Sequence, residues 1–273
     1  MSQPRRKELG DFLRSRRCRI TPKSVGLPAT GRRRAPGLRR EEVAQLAGIG
    51  VDWYVRLEQG RAVNPSIATI DALARALRLG KVEHAHLRAL ASSPDRRLFV
   101  AEVVPPTLRR VVESLDQPAY VTGRRWDVLA WNDAADEIFE FGRLADGDRN
   151  TLVMVLTDAH ARRLFGERWG EEARRMVAQF RASHDLWAGD PAFLDLLERL
   201  RAGCPEFERW WEAHDIGQAR SGRKHIIHPR KGALEFVYAT FQSNDDVGLK
   251  LAIYTPAARG ADPGEERRPL AGA

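Results

Sequence analysis

Residues 38–60, LRREEVAQLAGIGVDWYVRLEQG, constrain this chain more than any other stretch. They hold two short helical patterns joined across a glycine. Within 39–47, Val43, Leu46 and Ala47 recur on one face, and within 51–59 Tyr54, Leu57 and Glu58 stand at i, i+3 and i+4, so each helix has a side to bury. Gly48 falls where a sharp left-handed turn needs a residue without Cβ, and Gly60 follows the second helix as a terminating glycine does. A helix-turn-helix presents its second helix to the major groove, with the first residues aimed at base edges. The pattern therefore predicts binding to double-stranded DNA.

Charge points the same way. Residues 1–97 carry 21 Lys+Arg against 9 Asp+Glu, net +12, while the remainder carries 24 against 28, net −4, and the whole 273-residue chain stands at +8. A genome rich in arginine codons would raise arginine throughout and would not by itself leave the second part acidic. The first part is fitted to a polyanion. Cys18 and Cys204 have neither CxxC spacing nor a disulfide framework and read as reduced thiols. No run approaches the roughly eighteen apolar residues of a membrane span, and the start, MSQPRRKELG, lacks an apolar signal core, so the expected location is cytoplasmic, with no membrane partner.

The length suits two domains. Leu9, Phe12 and Leu13 form an apolar stripe on a first helix that is otherwise basic, with Arg14, Arg16 and Arg17. A Pro- and Gly-rich basic loop, TPKSVGLPATGRRRAPG, follows. Asn64-Pro65-Ser66 supplies a cap for a fourth helix carrying Ile67, Ile70, Leu73, Ala74 and Leu77, and a fifth helix spans about 82–91. This predicts an all-α, five-helix DNA-binding domain over 1–97.

Residues 98–115 read as a connecting helix broken by Pro105-Pro106. From Gln117 the period changes: 119–122 and 126–131 read as a hairpin across Gly123-Arg124-Arg125, and Asn132 caps a helix to Phe139. Helical patterns fill 151–156, 159–164, 171–181, 192–201 and 206–212, and strands return at 225–228, 234–241 and 249–254. Two strands, a helical block and three antiparallel strands make an α+β domain over 98–256, PAS-like in outline, with the helices covering one face of the sheet. Residues 257–273 are polar, rich in Pro and Gly, and read as a disordered tail.

Residues 37–60 resemble the helix-turn-helix of the Xre/Cro-type regulators. The longer VGLPATGRRRAPGLRREEVAQLAG resembles the MmyB-like subgroup, in which a basic insert precedes that motif and a PAS-like ligand-binding domain follows. WDVLAWN, CPEFERWWEAHD and KHIIHP carry the C-terminal part of the likeness, which covers nearly all of 9–255. The resemblance implies a lambda-repressor-like head and a transcriptional regulator acting as a homodimer on a palindromic or near-palindromic operator. It also implies modulation by a small apolar, fatty-acid-like ligand in the C-terminal domain. The alternative is a C-terminal domain that serves only dimerisation or protein docking.

Carried over by position, Arg40 opens the scaffold helix where a polar side chain meets phosphate, and Val51, Asp52, Trp53 and Arg56 occupy the exposed positions of the recognition helix. Arg56 can pair with guanine O6 and N7, Val51 can meet a thymine methyl, and Asp52 can accept from cytosine N4. Arg39 and Arg61 complete the DNA-binding set at the motif's ends. Glu58 resembles the acidic residue that ties this helix to a basic residue of the first, for which Arg17 is a candidate. Trp53 has a second reading as a packing residue, and the exposed arginines have one as a solvated face. Arg32, Arg33 and Arg34 read either as an arm tracking phosphates or the minor groove, or as a linker. Gly50 departs from the family's Ser or Thr cap; glycine is adequate sterically but brings no hydroxyl.

Catalytic chemistry is weakly represented. His225 and His228, three apart on a strand, project to opposite faces and make a poor metal pair, while His214 and Asp215 diverge as helix neighbours. With no nucleophile elbow, Walker loop or dinucleotide fingerprint, no catalytic residue, metal or cofactor is expected, and the histidines read as structural. The second part is instead rich in aromatics, including Trp187 and Phe241. Tyr120, Trp126, Trp131, Phe139, Phe165, Trp169, Phe236 and Tyr238 are the candidates to line a pocket between sheet and helices.

Overall fold

Helix α1 (Gln3–Arg19) buries Leu9, Phe12 and Leu13, the stripe its spacing predicts, in a computed structural model that describes residues 1–28, 37–92, 98–217 and 221–257. Around Phe12 gather Val43 and Ala44 of α2 (Arg40–Ala47), Tyr54 and Leu57 of α3 (Val51–Glu58), Ile70 and Leu73 of α4 (Ile67–Ala76), and Leu87 and Leu90 of α5 (Lys81–Ala91). Ser66 caps α4 by accepting the Thr69 N–H at 3.1 Å. Gly48 ends α2 at φ 65° and Gly60 follows α3 at φ 67°, the left-handed conformation that L side chains resist. Two expectations need correction. Leu46 is 37% exposed and Ala44 is buried in the core instead, while Arg16 is buried rather than part of a basic face.

α1 and α3 meet at closest approach across Gly10. A Cβ there would lie 2.4 Å from the Glu58 carbonyl oxygen, and backbone cannot rotate away as a flexible side chain can. Gly10→Ala should therefore destabilise the bundle by about 1–3 kcal/mol, read as a lowered urea midpoint. An unchanged midpoint would show that α1 and α3 can separate at little cost.

The chain divides into two compact units, Met1–Ala101 with Gly170–Gln218, and Glu102–Trp169 with Ala219–Ala273. In the second unit, Pro105-Pro106 starts a helix instead of breaking one. Residues 98–105 are not helical and α6 runs Pro106–Glu113, because proline at the first helical position loses no intrahelical hydrogen bond. The sheet comprises β1 (Ala119–Thr122), β2 (Val128–Trp131), β3 (Gly222–His228), β4 (Gly232–Gln242) and β5 (Lys250–Pro256) in the order β2-β1-β5-β4-β3, every neighbour antiparallel. This is the α+β, PAS-like architecture the strand pattern predicts. Trp126 lies in the hairpin turn rather than in a strand; its φ is 73° and its N–H donates to the Gly123 carbonyl at 3.0 Å.

Ala119 and Val121 pack with Val112 of α6, so Tyr120 between them points to the other face. On that face α7 (Asp133–Phe139) packs against β1, and α9 (Ala159–Phe165), which follows α8 (Thr151–Thr157), packs against β3. Asn132 joins strand to helix: its Oδ1 accepts the N–H groups of Ala135 and Ala119, at 2.9 and 3.0 Å, and its Nδ2 donates to the carbonyls of Leu115 and Gln117, at 2.7 and 2.8 Å.

The remaining helices do not all cover the sheet, as the pattern over 132–212 predicts. From Gly170 onward, α10 (Trp169–His184), α11 (Pro191–Gly203) and α12 (Phe207–Glu212) belong to the first unit. There Phe193 meets Phe99 edge-on at 5.4 Å and stacks on Trp187 at 5.7 Å, and Ile216 packs against the α1–α5 core. Ala257 donates its N–H to the Glu235 carbonyl at 2.9 Å. The tail expected from 257 lies otherwise outside the described residues, as do Arg32, Arg33 and Arg34.

Candidate nucleic-acid interface

The recognition helix is held from behind by a buried charge. Arg17 donates from Nε to Glu58 Oε2 and from Nη2 to Oε1, both at 2.8 Å, and its Nη1 reaches the Leu38 carbonyl at 2.8 Å. Arg40 adds a third donor to Glu58 Oε1 at 2.9 Å. Burial alone would raise the Glu58 pKa, but the hydrogen bonds and charges of Arg17 and then Arg40 outweigh it and hold the carboxyl below its ordinary value. Burial, with the Glu58 charge beside it, pushes the Tyr54 hydroxyl far above its usual range, so it stays neutral. Glu58 is thus a structural residue of α3, tied to Arg17. Arg40 points inward to the same carboxylate while its side chain remains 40% exposed.

The outward side of α3 differs. Val51, Asp52 and Arg56 are exposed, as are Arg39 before α2 and Arg61 after α3. The side chains of Arg39, Asp52, Arg56 and Arg61 have no hydrogen-bond or ion-pair partner among the described residues. Gly50 gives α3 no side-chain cap, and Asp52 stands in the first turn of the helix, where the helix dipole favours a carboxylate. Trp53 is half-buried, packed against the bundle core. Beside α3 a cleft of about 600 Å³ is lined by Lys7, Arg14 and Arg40 together with Asp11 and Glu58, and of its basic groups Lys7 is paired with Asp11 and Arg40 with Glu58.

The inner face of the sheet holds a second constellation. Tyr254 of β5 stacks with Tyr238 at 5.6 Å and Tyr120 at 5.8 Å, and meets Phe139 at 5.2 Å and Phe236 at 6.0 Å. Phe141 joins Tyr120 and Trp131. The hydroxyls of Tyr120 and Tyr254 share a 3.0 Å hydrogen bond, and burial followed by the Tyr254 neighbour keeps Tyr120 well above its ordinary pKa. The Lys224 ammonium stands over this ring cluster, 5.2 Å from Phe165, 5.4 Å from Tyr238 and 5.9 Å from Tyr254.

Residues 8–87 match a helix-turn-helix domain family, and residues 104–268 match the MmyB-like transcription regulator ligand binding domain. The chain belongs to the MmyB-like transcription regulators. No curated protein matches it. It is accordingly a DNA-binding regulator with a helix-turn-helix head and a C-terminal domain of ligand-binding type.

In this MmyB-like regulator the sequence-derived pocket residues separate into groups. Tyr120, Trp131, Phe139, Phe236 and Tyr238 converge around Tyr254 and Phe141, and Phe165 joins through Lys224. Trp126 occupies the hairpin turn, and Trp169 donates from Nε1 to the Val155 carbonyl at 2.6 Å beneath the Arg162 guanidinium at 3.7 Å. Tyr254, Phe141 and Lys224 are the members that sequence reasoning missed. Tyr254 was legible as an inward position of its strand; Lys224 was not, since a lysine near the start of a strand gives no sign of facing aromatics.

His228 and His214 sit in defined surroundings. His228 donates from Nε2 to the Glu137 carbonyl at 3.1 Å, and its Nδ1 accepts the N–H groups of Lys231 and Arg230 at 3.1 and 3.2 Å. His214 adopts φ 51° beyond α12, and burial, then Arg181, brings its pKa down to about 4, while Asp215 pairs with Arg19 and Arg174. Among the described residues no group of three or more His, Cys, Asp and Glu is arranged to hold a metal ion, and no helix is long and apolar enough to cross a membrane.

Proposed function

We propose that residues 1–97 read a palindromic or near-palindromic operator in double-stranded DNA as a homodimer, and that the domain over 98–256 tunes this binding through a small apolar, fatty-acid-like ligand. The observation that carries the DNA side is the row of exposed groups, Arg39, Asp52, Arg56 and Arg61, whose side chains have no partner among the described residues. Arg56 reads guanine, Asp52 cytosine and Val51 thymine, while Arg39, Arg40 and Arg61 contact phosphate, with Arg32, Arg33 and Arg34 extending the basic track. Trp53 contributes packing from behind. The tyrosine and phenylalanine cluster around Tyr254, with Lys224 over its rings, supports a ligand with an apolar body.

Arg56→Ala should cost about 1–3 kcal/mol on the best operator and flatten the preference at one base pair, whereas Arg61→Ala should weaken all sequences alike and reduce the salt slope by roughly one contact's worth, about 0.9. Binding of each variant to a panel of single-base operator changes measures both. If Arg56→Ala kept the wild-type base preference, α3 would not be the reading surface. For the ligand, no stabilisation and no change in operator affinity across a fatty-acid panel would leave the C-terminal domain as a dimerisation or docking module.

A further inference from the structure

The helices that follow the sheet unit's first half in sequence are anchored inside the DNA-binding unit by a buried charge. Residues 170–218 fall within the stretch that matches the ligand-binding family, yet they pack with residues 1–101. At the centre is Asp185, 1% exposed. It takes hydrogen bonds from His86 Nε2 of α5 at 3.1 Å and His184 Nδ1 at 3.0 Å, with Arg181 Nη1 at 3.6 Å. Arg181, 2% exposed, also lies 3.4 Å from Glu8 of α1, donates to the Trp211 carbonyl at 2.5 Å and stands 3.9 Å over the Trp211 ring. Further along α1, Arg16 donates to the His214 carbonyl at 2.7 Å and Arg19 pairs with Asp215 at 2.9 Å.

Stability alone is a poor reason for this arrangement. An apolar cluster of similar volume generally holds two elements together as well as a buried ion pair or better. Hydrogen-bonded charges differ in being geometry-selective: they weaken steeply with misalignment, so the contact is either made or lost. The two sides of α1 give that selectivity a route. One side, through Glu8, Arg16 and Arg19, holds 170–218; another, through Gly10 and Arg17, holds Glu58 of the recognition helix. α10 itself is continuous from Trp169, the last residue grouped with the sheet, to His184, beside Asp185.

We propose that Arg181, Asp185 and His86 form a latch through which the state of the ligand-binding domain reaches α3, with α1 as the shared strut. Latched, α1 and α3 hold the operator-binding arrangement; unlatched, α3 samples others, and apparent affinity falls with the fraction that remains competent. Coupling is reciprocal, so operator binding must in turn strengthen the latch.

The test is hydrogen exchange of the full chain with and without the tightest duplex recovered by selection from genomic DNA. Amides of 181–190 should exchange more slowly on DNA binding in the wild type and show no such change in Asp185→Asn. The variant's Kd for that duplex should rise about fivefold or more under conditions where circular dichroism shows it folded. His86→Gln, which keeps a donor, serves the same comparison if Asp185→Asn does not fold. DNA-independent exchange at 181–190 in the wild type, protection that persists in the variant, or a folded variant with wild-type Kd would each overturn the proposal; a merely structural cluster would lower stability without any of these DNA-linked changes.

Discussion

Glu58→Ala is expected to cost the helical unit about 3–5 kcal/mol and to remove operator binding, because it strands a guanidinium inside the protein. The Glu58 side chain is 1% exposed and takes both prongs of Arg17 as well as Arg40. Without it, Arg40 can turn to solvent, but Arg17 keeps only the Leu38 carbonyl. Removing both partners, as Arg17→Met with Glu58→Leu, should recover most of the lost stability, since it leaves no buried charge. The same pair sets a pH dependence. The folded pKa of Glu58 lies below its ordinary value of 4.5, so its contribution is complete above that value and is lost as pH falls through the depressed one. Urea midpoints from pH 7 down to 2 should fall for the wild type below about 4.5 and should fall less for Glu58→Gln. A Glu58→Ala midpoint within the equivalent of about 1 kcal/mol of wild type would show that the pair holds nothing.

Asn132→Ala should unfold the sheet unit while leaving the helical unit's transition in place. The side chain caps α7 and ties β1 to the preceding segment, four hydrogen bonds in all, and Ala119 and Ala135 are both fully buried. Two buried N–H groups left without acceptors, at about 1–3 kcal/mol each, give a loss on the order of 4 kcal/mol. Asn132→Asp keeps the acceptor but replaces the amide donors with an oxygen facing the Leu115 and Gln117 carbonyls. It should rescue little, although aspartate is otherwise as good a cap. Protection from hydrogen exchange at the amides of β1 and β5 reports the sheet unit, and protection at those of α1 and α3 the helical unit. Loss of the first at a temperature where the second persists is the expected outcome, and concerted loss of both would contradict it.

The elements themselves were legible because their signals are local. The glycines at 48 and 60, the Ser66 and Asn132 caps and the alternation in 234–241 each act over a few residues, and each gives the predicted turn, helix start or strand. What escaped depends on tertiary partners. Arg16 looks like any basic helix position until Glu83 and the His214 carbonyl are brought beside it, and Leu46 looks like core until Ala44 is found buried in its stead. The patterns over 171–212 are correctly helical, but an amphipathic face does not say which core it joins, and here it joins α1 and α5. At the DNA surface, the resemblance to the Xre/Cro-type regulators marks Val51, Asp52 and Arg56 as outward, and they are exposed, whereas the inward turn of Arg40 depends on Glu58 being brought beside it. In the sheet unit, Tyr120 and Tyr238 were legible as strand aromatics, and only the fold brought Phe141 to the first and Lys224 to the second.

Selection of bound fragments from genomic DNA by the full-length protein, run in parallel for wild type and Arg56→Ala, tests the DNA-reading role of α3 most directly. The wild type should recover a short sequence repeated with two-fold symmetry, its half-sites about one helical turn apart. Arg56→Ala should recover the same spacing with one base pair in each half-site no longer specified. Enrichment of no sequence by the wild type, or an identical motif from both proteins, would contradict it.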